Sequence, residues 1–226
     1  MYSFQDEALD WMKVREMDPR VSGGFICHEM GLGKTRMMSR LVKENLRHRT
    51  LVLTTKSTLG GWLSELRHQS KFEFDVKEYD KTLRLDPVRP AVIVATHHSI
   101  LCPLWFIRQN FDRVIVDEAH ILRNQGRIYM DIYLLPAKYR WGVTATPYNN
   151  SNADMNAYTN FLKPGMPGSA FRHYMLRKTR AEVIKEGPAL ISHKLVYDFD
   201  TEEERRMYEF VARRIDDTHD WVRRNG

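Results

Sequence analysis

The chain has 226 residues, 42% hydrophobic and 28% charged, which suits a full globular domain and the start of another. No apolar run approaches bilayer length, and the N-terminal stretch carries Asp6, Glu7 and Asp10 where an export signal is apolar, so neither a membrane span nor a secretory leader is expected. A net charge of +6 fits a polyanion binder and a merely basic enzyme equally, and two cysteines, Cys27 and Cys102, are too few for a disulfide framework and fit a reducing compartment.

From about residue 22 to 163, short apolar runs alternate with helical patterns. Runs rich in β-branched and aromatic residues at 25–27, 50–54, 91–96, 114–116 and 141–144 are predicted strands, nearly all apolar as in a mainly parallel sheet buried on both faces. Phe72, Phe74 and Val76 alternate with polar residues, which places that piece nearer an edge. Leu59, Trp62, Leu63 and Leu66 form one apolar helix stripe, whose plainest role is core packing. After residue 163 two prolines and two glycines within 163–169 read as a linker. A basic segment (Arg177, Lys178, Arg180) and an alternating stretch through Leu195, Tyr197 and Phe199 follow. Thr201 with Glu204 makes a capping box for a last helix carrying Met207, Phe210 and Val211.

Three strand ends carry chemistry. After the first comes His28-Glu29-Met30-Gly31-Leu32-Gly33-Lys34-Thr35, then a helix. A triphosphate needs backbone N–H groups aimed at it from a tight loop, and glycines permit the close approach. Lys34 then bridges the β- and γ-phosphates, and the Thr35 hydroxyl holds Mg²⁺. The strict pattern has glycine six residues before the lysine; His28 stands there, so the general rule is only partly met. The second end is Asp117-Glu118-Ala119-His120, closing an apolar strand. Asp117 is expected to hold Mg²⁺ and Glu118 to orient and deprotonate the attacking water. The third, Thr144-Ala145-Thr146-Pro147, is by itself a turn, and joins the same edge as the third strand end in series.

The order GLGKT, DEAH, TATP is similar to motifs I, II and III of superfamily 2 helicases, and the Met30–Thr35 core resembles the Swi/Snf type. Phe4-Gln5 with Ala8 to Trp11 resembles that family's adenine-reading segment. Lys56 to Leu59 with Trp62 resembles motif Ia, Thr96 to Ile100 motif Ib, and Met175 to Thr179 the segment joining two lobes. The resemblance implies an α/β, RecA-like P-loop lobe over residues 1–165, an inter-lobe linker at 166–200, and the start of a second lobe at 201–226. It implies ATP and Mg²⁺ as cofactors, with double-stranded DNA as partner, bare or carrying nucleosomes or other bound proteins, and a second RecA-like lobe elsewhere in the protein. Gln5 reads adenine, and Met30, Gly31, Leu32, Gly33, Lys34 and Thr35 hold the nucleotide. His120, Thr144 and Thr146 couple it to the track, and Lys56, Ser57, Trp62 and Thr96 meet the DNA backbone. The implied setting is intracellular: nuclear in a eukaryote, otherwise cytoplasmic or viral.

Three positions depart from the pattern: His28 where an acid is usual, Thr55 where proline is usual, and Gly61 where asparagine is usual. Two rivals stand beside this reading. A DEAH-type RNA helicase lobe shares the three motifs, although the Met30–Thr35 core and the Met175–Thr179 segment favour the DNA motors. A one-lobed, nucleotide-gated binding module without turnover is the other. His97 and His98 lack partners at metal spacing, so zinc is not expected. Cys27 reads as a small buried hydrophobe. Arg205, Arg206, Arg213 and Arg214 read as a solvated helix face or a DNA contact.

Overall fold

The computed structural model describes residues 3–101, 103–124, 126–147, 152–183 and 201–210. Cys102, the stretch through Leu195 to Phe199, Val211, Arg213 and Arg214 lie outside them.

Strands β1 (Gly23–Ile26), β2 (Arg49–Thr54), β3 (Asp75–Glu78), β4 (Ala91–Thr96), β5 (Arg113–Asp117), β6 (Tyr139–Val143) and β7 (Met175–Leu176) form one sheet. Its order is β3-β4-β2-β5-β6-β1-β7, and every pairing is parallel. Parallel neighbours need crossovers, which helices supply. Helices α1 (Ser3–Met17), α2 (Lys34–Glu44) and α3 (Lys56–Ser70) cover one face. Helices α4 (Pro103–Arg108), α5 (Arg127–Tyr133) and α6 (Asn152–Leu162) cover the other. Side chains alternate across a strand, so in β2 Leu51 and Leu53 join the second face and Val52 the first. That double burial is why the strands read as unbroken apolar runs. The expected RecA-like α/β class holds.

Phe25 anchors one core layer, with ring centroids 4.9 Å from Tyr158 and 5.1 Å from Phe171. Gly142 on the neighbouring strand makes this possible, because a Cβ there would lie 2.1 Å from the Phe25 ring.

Two features differ from expectation. The edge strand begins only at Asp75, because the turn out of α3 takes Lys71 and Phe72 to positive φ (42° and 71°). Phe72 is left exposed while Phe74 is buried. The second is β7, which lies inside the stretch expected as a linker yet pairs with β1 through Phe25↔Met175 and Ile26↔Leu176. A two-residue strand leaves no periodicity to read. Residues 1–185 make one compact unit that includes this strand, and 186–226 make another. In the second unit a helix spans 202–210, and Thr201 Oγ1 accepts the Glu204 N–H at 3.2 Å, as the capping box requires.

Candidate functional site

Parallel strands deliver their C-terminal ends to a single sheet edge, where open α/β sheets bind ligands. β1 runs into the loop before α2. Gly31 and Gly33 there have φ of 81° and 77°, a left-handed conformation that favours glycine. A Cβ on Gly33 would also lie 2.7 Å from Nε2 of Gln5. Gln5 is itself buried and donates to the Leu32 carbonyl at 3.2 Å, bracing the loop from beneath. The Lys34 ammonium donates to the carbonyls of His28 (2.8 Å) and Glu29 (3.1 Å). Burial pulls its pKa below the ordinary lysine range, opposed by the charges of Glu118 and Asp117.

β5 ends at Asp117. Its Oδ2 accepts from the Thr54 hydroxyl at 2.8 Å and from the Trp62 indole N–H at 2.8 Å. Its backbone carbonyl pairs with Nε2 of His97 at 2.8 Å, and burial lowers the His97 pKa, with Asp117 opposing. Nε2 therefore carries the proton and donates. Glu118 sits at φ 47°, ψ 49°, a conformation that non-glycine residues adopt mainly where the surroundings impose it. Its carboxylate lies 3.2 Å from Nδ1 of half-exposed His120. After β6, the Thr144 N–H donates to the Ile26 carbonyl, and Thr144 Oγ1 accepts the Thr146 N–H at 3.2 Å.

A cleft of about 520 Å³ gathers Lys34, Thr35, Asp117, Glu118, His120 and Thr146, along with Met30, Gly31 and Gly33. Gln5, Leu32 and Thr144 stand behind its wall, since Leu32 and Thr144 are buried at 3% and 1% exposure. A separate groove of about 320 Å³ runs between the ends of β2 and β4 and includes Thr55, Lys56, Thr96 and His98. Ser57 lies in a third hollow of about 450 Å³, with Arg36 and Gly61. Trp62 also borders this hollow, with almost no surface in it. Expected against DNA, it is 1% exposed, and its indole is spent on Asp117. The plainer core-packing role fits it, with an added polar duty.

Sequence reasoning missed Thr54, Thr58 and His97 as supports of Asp117. The signal was a polar residue closing an apolar strand and a histidine one residue beyond the next. It also missed a ladder from the phosphate loop to the segment after β7. Cys27 N–H donates to Leu176 O (2.8 Å) and Glu29 N–H to Lys178 O (3.0 Å). Lys178 N–H donates to His28 Nδ1 (3.0 Å) and Arg180 N–H to Glu29 Oε2 (2.5 Å). His28 is fully enclosed, its Nε2 has no hydrogen-bond partner among the described residues, and burial pushes its pKa down to about 4, so it is a neutral side chain in the place of an acid. Cys27 is buried as expected, and burial pushes its thiol up to about 12.

The donor set suits Mg²⁺. Among the described residues no group of three or more His, Cys, Asp or Glu could cage a metal, whereas the Thr35 hydroxyl and Asp117 carboxylate share one cleft. Magnesium is ordinarily held by one or two protein oxygens together with substrate phosphates and water. Among the described residues no helix is long and apolar enough to cross a membrane.

The SNF2-related domain model matches residues 4–173. A "Probable global transactivator" of Orgyia pseudotsugata multicapsid polyhedrosis virus is 28% identical over 70% of this chain and 34% of its own length. The ISWI chromatin-remodeling complex ATPase CHR11 of Arabidopsis thaliana is 28% identical over 75% of this chain and 17% of its own. The chain thus spans about a third or less of these relatives. The Sulfolobus solfataricus SWI2/SNF2 ATPase core in complex with dsDNA superposes with a TM-score of 0.67 at 22% identity, over 80% of this chain and 44% of that one. The same core domain alone gives 0.63 at 25% identity, over 78% and 43%. Although residues 117–120 spell DEAH, these matches give no support to a DEAH-box label. The chain belongs to the SNF2-related domain family and carries the first RecA-like lobe of a Swi/Snf-type ATPase motor domain.

Proposed function

We propose that this lobe binds Mg·ATP in the cleft at the sheet edge and is the hydrolysing half of a motor that tracks duplex DNA. The observation that carries the reading is the convergence of Lys34, Thr35, Asp117, Glu118, His120 and Thr146 on one cleft. Lys34 exchanges the loop carbonyls of His28 and Glu29 for the β- and γ-phosphates, and Gln5, already against the loop, reads the adenine edge. Thr35 and Asp117 hold Mg²⁺, whose charge helps neutralise the phosphates. Glu118 takes a proton from the attacking water, and its left-handed backbone aims the carboxylate into the cleft beside His120. Thr144 shapes the turn through which Thr146 reports the nucleotide, and His120 joins it in coupling.

The groove holding Lys56 and Thr96, with Ser57 nearby, supplies small donors and a cation for DNA phosphates, which position without reading sequence. The Sulfolobus neighbour that superposes at a TM-score of 0.67 is a complex with dsDNA, and this favours duplex over RNA. Residues 201–226 begin the second lobe, whose arginines close the γ-phosphate from the other side; loss of such a group elsewhere costs roughly 10³–10⁵ in rate.

The test is phosphate release by residues 1–226 and by a longer chain carrying a second lobe, each with duplex DNA and with single-stranded RNA. The long chain is expected to be stimulated by duplex and the short one hardly at all, while Glu118→Gln in the long chain keeps ATP binding and loses turnover. Equal stimulation of both chains, or preference for RNA, overturns the reading.

A further inference from the structure

Both described hydrogen bonds to the Asp117 carboxylate, and the one to its backbone carbonyl, come from elements that also wall the groove between β2 and β4. Thr54 closes β2, Trp62 belongs to α3, and His97 follows β4 directly. Thr54 is in turn tied to Thr58 on α3, Oγ1 to Oγ1 at 2.6 Å. Because Thr54 donates its proton to Asp117, Thr58 donates to Thr54, so α3 grips the carboxylate by two routes. An indole has only a donor, so the bond from Trp62 has a fixed sense. Both side-chain bonds land on Oδ2, which fixes the carboxylate's rotation and leaves Oδ1 for other partners. The three side chains that hold the carboxylate and carbonyl are all buried.

We propose that Trp62 and His97 are positioning residues: they transmit the state of the β2–β4 groove to Asp117 and thereby set how tightly the cleft holds Mg²⁺. This rests on the reading of the cleft as a Mg·ATP site and of the groove as a phosphate-backbone contact. Lys56 begins α3 and Thr96 ends β4, so a duplex engaging the groove presses on the two elements that carry the supports. Packed interiors deform little between parts, so a displacement of α3 or of the turn after β4 reaches Asp117 largely undiminished. Linkage makes the effect mutual: duplex alters the Mg²⁺ requirement, and Mg·nucleotide alters duplex affinity by the same factor.

The experiment titrates Mg²⁺ into residues 1–226 with a fluorescent ATP analogue, with and without a short duplex. Trp62→Phe keeps an aromatic ring and loses the donor; His97→Phe does the same, while His97→Gln returns an amide N–H to the place of Nε2. Trp141→Phe is the matched control, because its indole N–H donates to Glu16 at 2.9 Å, away from the cleft. Removing an outer-shell partner commonly weakens metal affinity 10- to 100-fold, so both Phe variants at 62 and 97 are expected to need roughly 10-fold more Mg²⁺ and to lose the duplex response. His97→Gln is expected to stay near wild type, and Trp141→Phe to melt earlier with an unaltered Mg²⁺ requirement. Wild-type Mg²⁺ and duplex dependence in Trp62→Phe and His97→Phe, or equal impairment in His97→Gln and His97→Phe, overturns the proposal. Absence of Mg²⁺-dependent nucleotide binding by the wild type sinks the reading of the cleft itself, and the proposal with it.

Discussion

Two buried tryptophans in this lobe each donate an indole N–H to a carboxylate, and the two carboxylates have different fates. Near the N-terminal edge of the sheet, Trp141 donates to Glu16, which also takes a bidentate pair from Arg113 (2.7 and 2.6 Å) and the Asn45 amide (2.6 Å). Arg47 adds a fourth partner at 3.3 Å. The Glu16 and Arg113 side chains are completely enclosed, and Arg113 also donates to the Asn45 carbonyl and to Thr50. At the C-terminal edge, Trp62 donates to Asp117, whose described side-chain bonds all fall on one oxygen, and Glu118, His120 and Lys34 stand partly exposed around it. One end of the sheet is electrostatically closed. The other keeps polar groups in hand, held in place yet under-used, and that surplus is what a ligand can bind.

The largest expected effect is at the closed end. Arg113→Met takes the fully enclosed, bidentate countercharge from Glu16 and leaves it only the partly exposed Arg47 among the described cations, and breaking such a buried pair costs about 3–5 kcal/mol. Chemical denaturation should show that loss, while nucleotide affinity measured well below the melting range stays unaltered. Glu16→Leu added to Arg113→Met should recover only part, since Trp141 and Asn45 then lose an acceptor. A matching loss of nucleotide affinity would mean that the two edges are not independent.

Lys34→Ala tests the open end and should reverse the pattern. Its ammonium rests on two loop carbonyls, which solvent can replace, so thermal stability should hardly move. Mg·ATP binding by calorimetry should fall by about 2–5 kcal/mol, the usual loss when one member of a desolvated charge pair is removed. Unchanged affinity would remove the phosphate role from the loop.

These two ends are unequally legible in the sequence. The open end is readable because its chemistry sits at the ends of apolar strands, and a strand buried on both faces announces itself. Lys34, Thr35, Asp117 and Glu118 therefore emerge together. Glu16 and Arg113 lie 97 residues apart and look like solvated charges; only the fold reveals them as a pair. Trp62 shows why a motif position is not an orientation. Its helical stripe points inward, and the structure follows the stripe. The backbone bonds from Cys27 and Glu29 to Leu176 and Lys178 are invisible because backbone pairing leaves no residue-type signature, and the side chains of His28 and Glu29 meet partners about 150 residues away.

A smaller effect concerns His28, at the junction of loop and ladder. Its folded pKa, about 4, lies below the ordinary histidine value of 6.5, so between those values the unfolded chain binds the extra proton. Stability is then unaffected above pH 6.5 and declines as pH falls toward 4, by at most about 1.4 kcal/mol per pH unit. His28→Asn offers Lys178 N–H an acceptor near the place of Nδ1 without titrating, so its pH–stability curve should be flatter in this window. Parallel curves for the two proteins would assign the acid sensitivity to other groups.

The smallest effect concerns Thr55, where proline is usual in the family. Thr55 is the N-cap of α3, at φ −82° and ψ 161°, and its hydroxyl accepts the Thr58 N–H at 3.3 Å. Thr55→Ala removes that acceptor and should cost about 1 kcal/mol. Thr55→Pro also removes it, but the native φ is close to what proline imposes, and the residue before it is extended in β2, as proline requires. Restricting the unfolded chain returns roughly 0.4–1 kcal/mol, so the proline variant should lie above alanine and close to wild type. Thr58 matters beyond the cap, because its own hydroxyl donates to Thr54 and so supports Asp117. If the cap steadies that chain, Thr55→Ala should raise the Mg²⁺ requirement slightly more than Thr55→Pro, whose rigid entry holds α3 in register by another means. Equal melting midpoints for the two variants would show that neither the hydroxyl nor the ring governs the start of α3. The usual proline and this threonine would then not be alternative solutions to one problem.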